Sequence, residues 1–277
     1  MENKTHLDLI AIRQLYKSKL DFDLTDVKNS EHTFYKNYNS LLNLDPISEE
    51  FRYILLHNLF GPIQYLEELH KLSEKKYRTW KNRLIKNTQS VGIYGDLFEL
   101  YITWTLVMKN IDFVLSESPD FEILHNDSMV YIECTSSQFD FEKTPSKEDI
   151  LLKITTSVFN KMKLNYATIS TGLFVDITNL CYHSKLLNSP ITQQDLISSV
   201  LNASKKIEDF NNLNTFGAVM FFWINIIKDS NENIRYACNS YDVIENVNAN
   251  PNLIEFLKNS NIDIPNKKQI ENPKFSH

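Results

Sequence analysis

The stretch SPDFEILHNDSMVYIECTSSQ (residues 118–138) decides the fold, because it reads as two short strands joined by a turn at HNDS. Apolar and polar residues alternate in both halves, and side chains two positions apart lie on one face of a strand. Val130, Ile132 and Cys134 therefore share a face that belongs to the core. Glu133 lies on the opposite face of the same strand, and an unpaired carboxylate is normally excluded from such a strand.

Two acids of this stretch need a compensating group. Asp120 opens the first strand, and the short turn brings it near Glu133 on the second strand. Acidic side chains are almost never buried unless they are paired. A single acid at a strand end often caps a turn or pairs with Lys or Arg, and this interpretation is preferred for Glu122. For Asp120 and Glu133 two interpretations stay open: this structural role and a functional one, such as binding a ligand.

A third acid lies upstream in GDLFELYITWTLVMKN (residues 95–110), which is apolar almost all round and so predicts a buried helix. Glu99 interrupts that helix, whereas Asp96, one turn earlier, is better explained by pairing. Carboxylates that converge repel one another and raise each other's pKa values. A divalent cation relieves this conflict, and hard oxygen ligands suit magnesium or manganese. The sequence thus predicts that Glu99, Asp120 and Glu133 gather around a metal ion.

The order of these motifs resembles the PD-(D/E)XK nuclease superfamily, whose fold is called restriction-endonuclease-like. The matching motifs are Glu99 in a helix, Pro119-Asp120, and Glu133-Cys134-Thr135, and the resemblance covers about residues 91–180. It implies an α/β fold with a mixed central sheet flanked by helices.

The same resemblance implies a chemistry and a set of site residues. The activity would be magnesium-dependent hydrolysis of phosphodiester bonds, with Mn²⁺ able to substitute for Mg²⁺. Asp120, Glu133 and the backbone carbonyl of Cys134 would hold the ion, and Glu99 would contact it through water. These four positions carry over from the family's motif.

One residue departs from the family's pattern. The family has a lysine two residues after the second acid, and this chain has Thr135 there, which cannot supply a cation. On the helix predicted at about 147–164, Lys161 falls within the apolar stripe and Lys153 lies at its edge. Lys161 is therefore the expected replacement, and the alternative is that it extends past the helix end to solvent.

A basic segment, HKLSEKKYRTWKNRLIK (residues 70–86), has seven Lys or Arg residues and one Glu. It predicts a helix that contacts phosphates, with Tyr77 and Trp80 available for stacking on bases. A solvated helix face explains the charges equally well. The candidate nucleic-acid contacts are Lys75, Lys76, Arg78, Lys81 and Arg83.

Composition and short motifs argue against several other classes of protein and site. The 277 residues have a net charge of −6 and only five glycines, which form neither GxGxxG nor GxxxxGK. The three cysteines are widely spaced, which favours a reducing cytoplasm. No apolar run is long enough to span a membrane, and the polar start is not a signal peptide. Cys181 and His183 are expected to be a loop pair, because no acid can be assigned to orient the histidine.

Three segments follow from these patterns: a helical domain at residues 1–88, a nuclease-like core at 89–245, and an Asn-rich tail with a short helix at 246–277. The expected function is that of a metal-dependent endonuclease acting on DNA rather than RNA, in restriction or another form of genome defence. The alternative is a catalytically inactive module of the same fold that binds nucleic acid or a protein partner. A homodimer is compatible with either function.

Overall fold

The computed structural model describes residues 2–43, 49–87, 90–140, 143–209, 215–228, 234–240, 243–260, 262 and 274–275. The chain divides into two compact units, Met1–Met108 and Lys109–His277. The first is helical, and the second is a mixed sheet with helices against it. The mixed α/β class is therefore confirmed. The helix that contains Glu99 belongs to the first unit, although the sequence places it in the core domain.

The N-terminal unit is built from α-helices, with a π-helical turn at Tyr16–Leu20 and a 3₁₀ turn at Val27–Asn29. In the described residues its α-helices are α1 Glu2–Leu15, α2 Thr33–Leu42, α3 Glu49–Leu72, α4 Glu74–Lys86 and α5 Ser90–Met108.

The break between α3 and α4 does not follow the proline. Proline favours the first turn of a helix, so Pro62 predicts a helix start there, but α3 runs through Pro62 and ends at Leu72. Ser73 begins the next helix instead, because its side-chain hydroxyl accepts a hydrogen bond from the backbone N–H of Lys76 (3.3 Å). This N-cap satisfies one of the free N–H groups at the start of α4.

His32 joins two helices of the N-terminal unit. Its Nδ1 accepts a hydrogen bond from the N–H of Phe34 (3.1 Å) and so caps α2, while its Nε2 lies 3.0 Å from the carbonyl oxygen of Leu84 in α4. Both bonds form together only in the neutral tautomer with the proton on Nε2. The ring is 2% exposed, and burial lowers its pKa below the usual 6.5.

The C-terminal unit contains all the strands that the structure describes. They form one sheet in the order β1-β2-β3-β4-β5-β7-β8, with β6 paired to β5. The strands are β1 Val114–Leu115, β2 Phe121–His125, β3 Ser128–Ser136, β4 Thr171–Asp176, β5 Ala218–Lys228, β6 Ile234–Ser240, β7 Ile244–Asn246 and β8 Lys274–Phe275. The helices are α6 Lys147–Met162, α7 Thr178–Leu186, α8 Gln193–Asp209 and α9 Pro251–Asn259. Across the described parts of both units, no helix is both long and apolar enough to span a bilayer.

The hairpin of β2 and β3 fixes the register of the motif. Its turn is Asn126-Asp127, and both residues have positive φ (47° and 57°), as a tight two-residue turn requires. Asn and Asp tolerate this conformation better than other non-glycine residues. The turn pairs Phe121 with Ile132, so the antiparallel hairpin predicted from the sequence is confirmed.

The central strands β3, β4 and β5 are parallel, and helices connect them. One face of this layer packs against α6 and α8. The apolar stripe of α6 is Ile150, Ile154, Val158 and Met162, all buried against Leu173, Val175, Val219 and Phe221 of the sheet. The start of α6 is fixed by a capping box between Ser146 and Asp149.

The predicted C-terminal tail contributes to the opposite face. Helix α9 lies against β2 and β3. Leu253 and Leu257 lie close to Gly172 of β4, and both are buried. Strand β8 pairs with β7. The described parts of segment 246–277 are therefore built into the second unit, because α9 presents apolar side chains that the Asn-rich composition obscures.

We predict that stability depends on pH through His32. In the unfolded chain His32 takes up a proton near pH 6.5, whereas in the folded protein it stays neutral to a lower pH. The stabilisation that neutral His32 gives the fold is therefore complete above pH 6.5 and is lost as the pH falls. His32→Asn keeps an N-cap acceptor but does not titrate. It should lower the free energy of unfolding by about 1–2 kcal/mol at neutral pH, through loss of the bond to Leu84.

The measurement is urea unfolding of both proteins at about pH 7.5 and about pH 5.5. The difference between wild type and His32→Asn should shrink at the lower pH. An equal difference at both values would show that His32 does not carry the dependence.

Candidate functional site

Glu133 lies in the middle of the sheet with its carboxylate on the face that α6 covers. It pairs in register with Leu173, whose side chain belongs to the core under α6 and α8. The residue is 3% exposed. An ionised carboxylate in such a place needs charge compensation and hydrogen bonds.

Asp120 lies beside Glu133, as the hairpin predicts. Continuing the register that pairs Phe121 with Ile132 puts Asp120 opposite Glu133. Its Oδ2 accepts a hydrogen bond of 2.7 Å from the backbone N–H of Cys134. Because the N–H and C=O of one strand residue point toward the same neighbouring strand, the carbonyl of Cys134 also faces the Asp120 side. The side chain of Cys134 points into the core on the other face.

Lys161 reaches this acid pair from α6. Its Nζ forms an ion pair and a hydrogen bond with Oε1 of Glu133, and the Lys161 side chain is 26% exposed. The expectation that Lys161 approaches the acidic site, rather than extending to solvent, is therefore met in the geometry. Lys153, the other candidate, lies two turns away with its amine 5.7 Å from the centre of the Phe139 ring.

Tyr166 is a further member of the cluster that the sequence did not indicate. Its hydroxyl donates a 2.8 Å hydrogen bond to Oε1 of Glu133. Burial raises the pKa of Tyr166 well above its usual value, and the charges of Glu133 and Asp120 add to this effect. The phenol therefore stays protonated and donates. Because Tyr166 follows the end of α6 in a turn, no helical or strand period could place it beside Glu133.

The second oxygen of Glu133 has a different environment. Oε2 is buried and has no hydrogen-bond partner among the residues that the structure describes. Buried polar atoms are nearly always bonded, and a bound water or ion is one explanation for an exception. No group of three or more His, Cys, Asp or Glu side chains in the described ranges is arranged to hold a metal ion. The candidate oxygen donors are thus two carboxylates, Asp120 and Glu133, and the carbonyl of Cys134.

A polar seam continues from this cluster along α6. Ser137 donates to Ser157 of α6 (2.5 Å), and Thr135 lies between Glu133 and Ser137 on the same face of the strand. Thr135 is half-buried and has no cationic atom. The helix and the strand run antiparallel here, because Ser157 meets Ser137 and the later Lys161 meets the earlier Glu133.

Glu99 is engaged by an arginine of the N-terminal unit. Arg83 forms a fork with it, Nη1–Oε2 at 2.6 Å and Nη2–Oε1 at 2.9 Å, and its Nε lies 2.6 Å from Oδ1 of Asp96. Both acids are buried, and Asn87 also donates to Asp96. Both oxygens of Glu99 therefore bind Arg83 within the first unit. The metal contact of Glu99 through water and the phosphate contact of Arg83 stay predictions.

The aromatic residues and the other basic residues of α4 differ in their surroundings. Trp80 is 1% exposed and cannot stack on a base, because it is part of the core. Tyr77 stacks on His70 with ring centres 4.4 Å apart, and both Tyr77 and Lys81 donate to the carbonyl oxygen of Lys19 at 3.0 Å. Of the predicted nucleic-acid contacts, Lys75, Arg78 and Arg83 are exposed, whereas Lys76 and Lys81 are half-buried. Arg78 pairs with Glu74.

Cys181 and His183 lie in helix α7, although a loop was expected. Burial raises the pKa of Cys181 to about 12, so the thiol stays protonated and is a poor nucleophile. Burial also lowers the pKa of His183. These properties agree with the conclusion that this pair does not form a hydrolase site.

We predict that Arg83→Met destabilises the protein by about 3 kcal/mol, because Asp96 and Glu99 stay buried without their counter-charge. Arg78→Met is the matched control on the same helix: it removes only an exposed ion pair and should change stability by less than about 1 kcal/mol. Urea unfolding measures both. Equal effects of the two variants would contradict the prediction. Adding Asp96→Asn and Glu99→Gln to Arg83→Met should restore part of the loss.

No model of a known family matches the chain, and no match was found among curated proteins or among solved structures.

Proposed function

We propose that this chain is a metal-dependent nuclease of the PD-(D/E)XK kind, and that it hydrolyses phosphodiester bonds of DNA. The observation that carries the proposal is the contact of Lys161 with Glu133 beside Asp120. It supplies from α6 the cation that Thr135 cannot supply from the strand. Two acids and a lysine are the minimal side-chain set of such a site.

The oxygen donors suit magnesium. Mg²⁺ prefers hard oxygen ligands and is commonly held by one or two carboxylates, with waters and substrate phosphates in its remaining positions. Asp120, Glu133 and the Cys134 carbonyl are such a set, and the unpartnered Oε2 of Glu133 supports it. When bound, the ion would lower the pKa of a water and stabilise negative charge on the phosphate. Glu99 binds Arg83 through both oxygens, and its contact with the ion through water stays a prediction from the resemblance.

Lys161 has two roles in this proposal. It neutralises one of two neighbouring carboxylates, which reduces their mutual repulsion. Its side chain is 26% exposed, and in this proposal the amine contacts a phosphate oxygen at the site. A fixed cation that faces developing negative charge stabilises the transition state.

The substrate and the cellular setting come from the resemblance and the composition. The resemblance favours DNA, with a role in restriction or genome defence. Lys75, Lys76 and Arg78 on α4 would add phosphate contacts. The widely spaced cysteines favour the reducing cytoplasm as the location.

A second candidate function is a nuclease-fold module that binds nucleic acid or a protein without cutting. The observation that favours it is the same ion pair, because Lys161 by itself can compensate the charge of a buried Glu133. In that case the pair stabilises the fold and needs no metal. The two functions differ in whether Lys161 contributes to cleavage.

We predict that the purified protein cuts DNA with Mg²⁺ or Mn²⁺ and that a chelator stops the reaction. Lys161→Met should reduce the cleavage rate about 10²–10³-fold, the usual effect of removing one transition-state charge stabiliser. Lys153→Met is the matched control, since this lysine lies over Phe139 in the same helix. Rates are compared at saturating metal, for variants shown by circular dichroism to be folded.

Three results would decide between the functions. Cleavage by Lys161→Met at the rate of the control would remove Lys161 from the mechanism. Binding of nucleic acid without cleavage of DNA or RNA would support the inactive module. Recovery of activity by Thr135→Lys in the Lys161→Met background would support the exchange of the lysine between strand and helix.

We also predict that α4 contributes to nucleic-acid binding. Lys75→Gln with Lys76→Gln should weaken binding and reduce the slope of log Kobs against log salt by about 0.9 for each lost contact with duplex DNA. Lys205→Gln with Lys206→Gln, two exposed neighbours on α8, is the control pair. The binding curves are measured by fluorescence anisotropy at several salt concentrations. A slope that stays unchanged in the α4 variant would place the interface elsewhere.

A further inference from the structure

The two oxygens of Glu133 have unequal surroundings. Oε1 accepts from both Lys161 and Tyr166, whereas Oε2 is buried and has no partner in the described part of the chain. A carboxylate has about four lone-pair positions, so two donors on one oxygen leave the other able to bind a further group. This asymmetry identifies Oε2 as the oxygen that can bind a further group.

Tyr166 is held in place by its own backbone. The hydroxyl of Thr171, at the start of β4, donates to the carbonyl oxygen of Tyr166 (2.8 Å). The next residue, Ala167, is buried, and its N–H bonds to the carbonyl of Leu164 (3.1 Å). The phenol thus extends from a turn anchored to the sheet, and its position does not depend on a flexible side chain of the Lys161 type.

We propose that Tyr166 is a positioning residue for the metal site: its hydroxyl holds Oε1 of Glu133 so that Oε2 faces the cation beside Asp120. This inference rests on the proposed function. Groups that hydrogen-bond to metal ligands orient them, and their loss typically costs about 10–100-fold in metal affinity. Tyr166 has this relation to Glu133.

Lys161 and Tyr166 have opposite electrostatic effects on a bound cation. Lys161 orients the carboxylate but repels a divalent ion, and this repulsion is strong at short range in a partly buried site. Tyr166 is neutral and orients the carboxylate without repulsion. The two donors on Oε1 are therefore separable by experiment, although they bind the same atom.

The test is calorimetric titration of the full chain with Mn²⁺ in the absence of nucleic acid. Tyr166→Phe keeps the ring and should weaken Mn²⁺ binding about 10–100-fold. Lys161→Met should bind Mn²⁺ at least as tightly as wild type, because repulsion is removed along with one donor. Tyr131→Phe is the matched control: Tyr131 lies two residues before Glu133 on the same face and is also half-buried. Asp120→Asn removes a proposed carboxylate ligand and tests whether Mn²⁺ binds at this site.

The outcomes separate the inference from the proposed function. Wild-type affinity in Tyr166→Phe, together with lost affinity in Asp120→Asn, overturns the positioning role and leaves the metal site intact. Absence of Mn²⁺ binding in wild type, or full binding in Asp120→Asn, overturns the metal site and the positioning role with it. A residue with only a structural role would lower the melting temperature of the metal-free protein without changing the Mn²⁺ affinity. That result also overturns the inference.

Discussion

The burial of the Glu133 carboxylate is the constraint on which the candidate site depends. Removing an ionised group from water costs several kcal/mol unless charge and hydrogen bonds compensate it. In this protein Lys161 supplies the charge and Tyr166 a neutral donor, and both approach the same oxygen. The crossover from β3 through α6 to β4 brings all three residues together. Lys161 and Tyr166 thus offset the cost of burying one acid in this unit.

The features that could be predicted are those that follow from residue spacing within one strand, one helix or one hairpin. Alternation along β3 separates Glu133 from Ile132 and Cys134, and the tight turn at Asn126-Asp127 sets Asp120 opposite it. Lys161 could be identified because a cation within the apolar stripe of a helix is unusual. Each of these inferences uses positions within one element or one hairpin, where geometry follows from sequence spacing.

The parts that could not be predicted are contacts between elements. Arg83 looked like one of several surface cations of a basic helix, and only the packing of α4 on α5 shows that it binds Asp96 and Glu99. Trp80 resembled a stacking platform for the same reason, although it lies in the core. Tyr166 stands in a turn, outside any repeating pattern. The sequence indicates which groups are chemically capable, whereas tertiary packing decides which of them meet.

In the proposed function the cation comes from α6 instead of β3, so the proposed chemistry depends on how α6 is aligned along β3. A lysine at residue 135 would share a rigid strand with Glu133, but Lys161 meets it only because Ile150, Ile154 and Val158 seat the helix at one axial position. A displacement of one turn, about 5.4 Å, would bring Ser157 instead of Lys161 to the acid. The apolar stripe therefore sets the axial position of the Lys161 charge. Under the proposed function, selection on catalysis would also act on core residues that touch neither substrate nor metal.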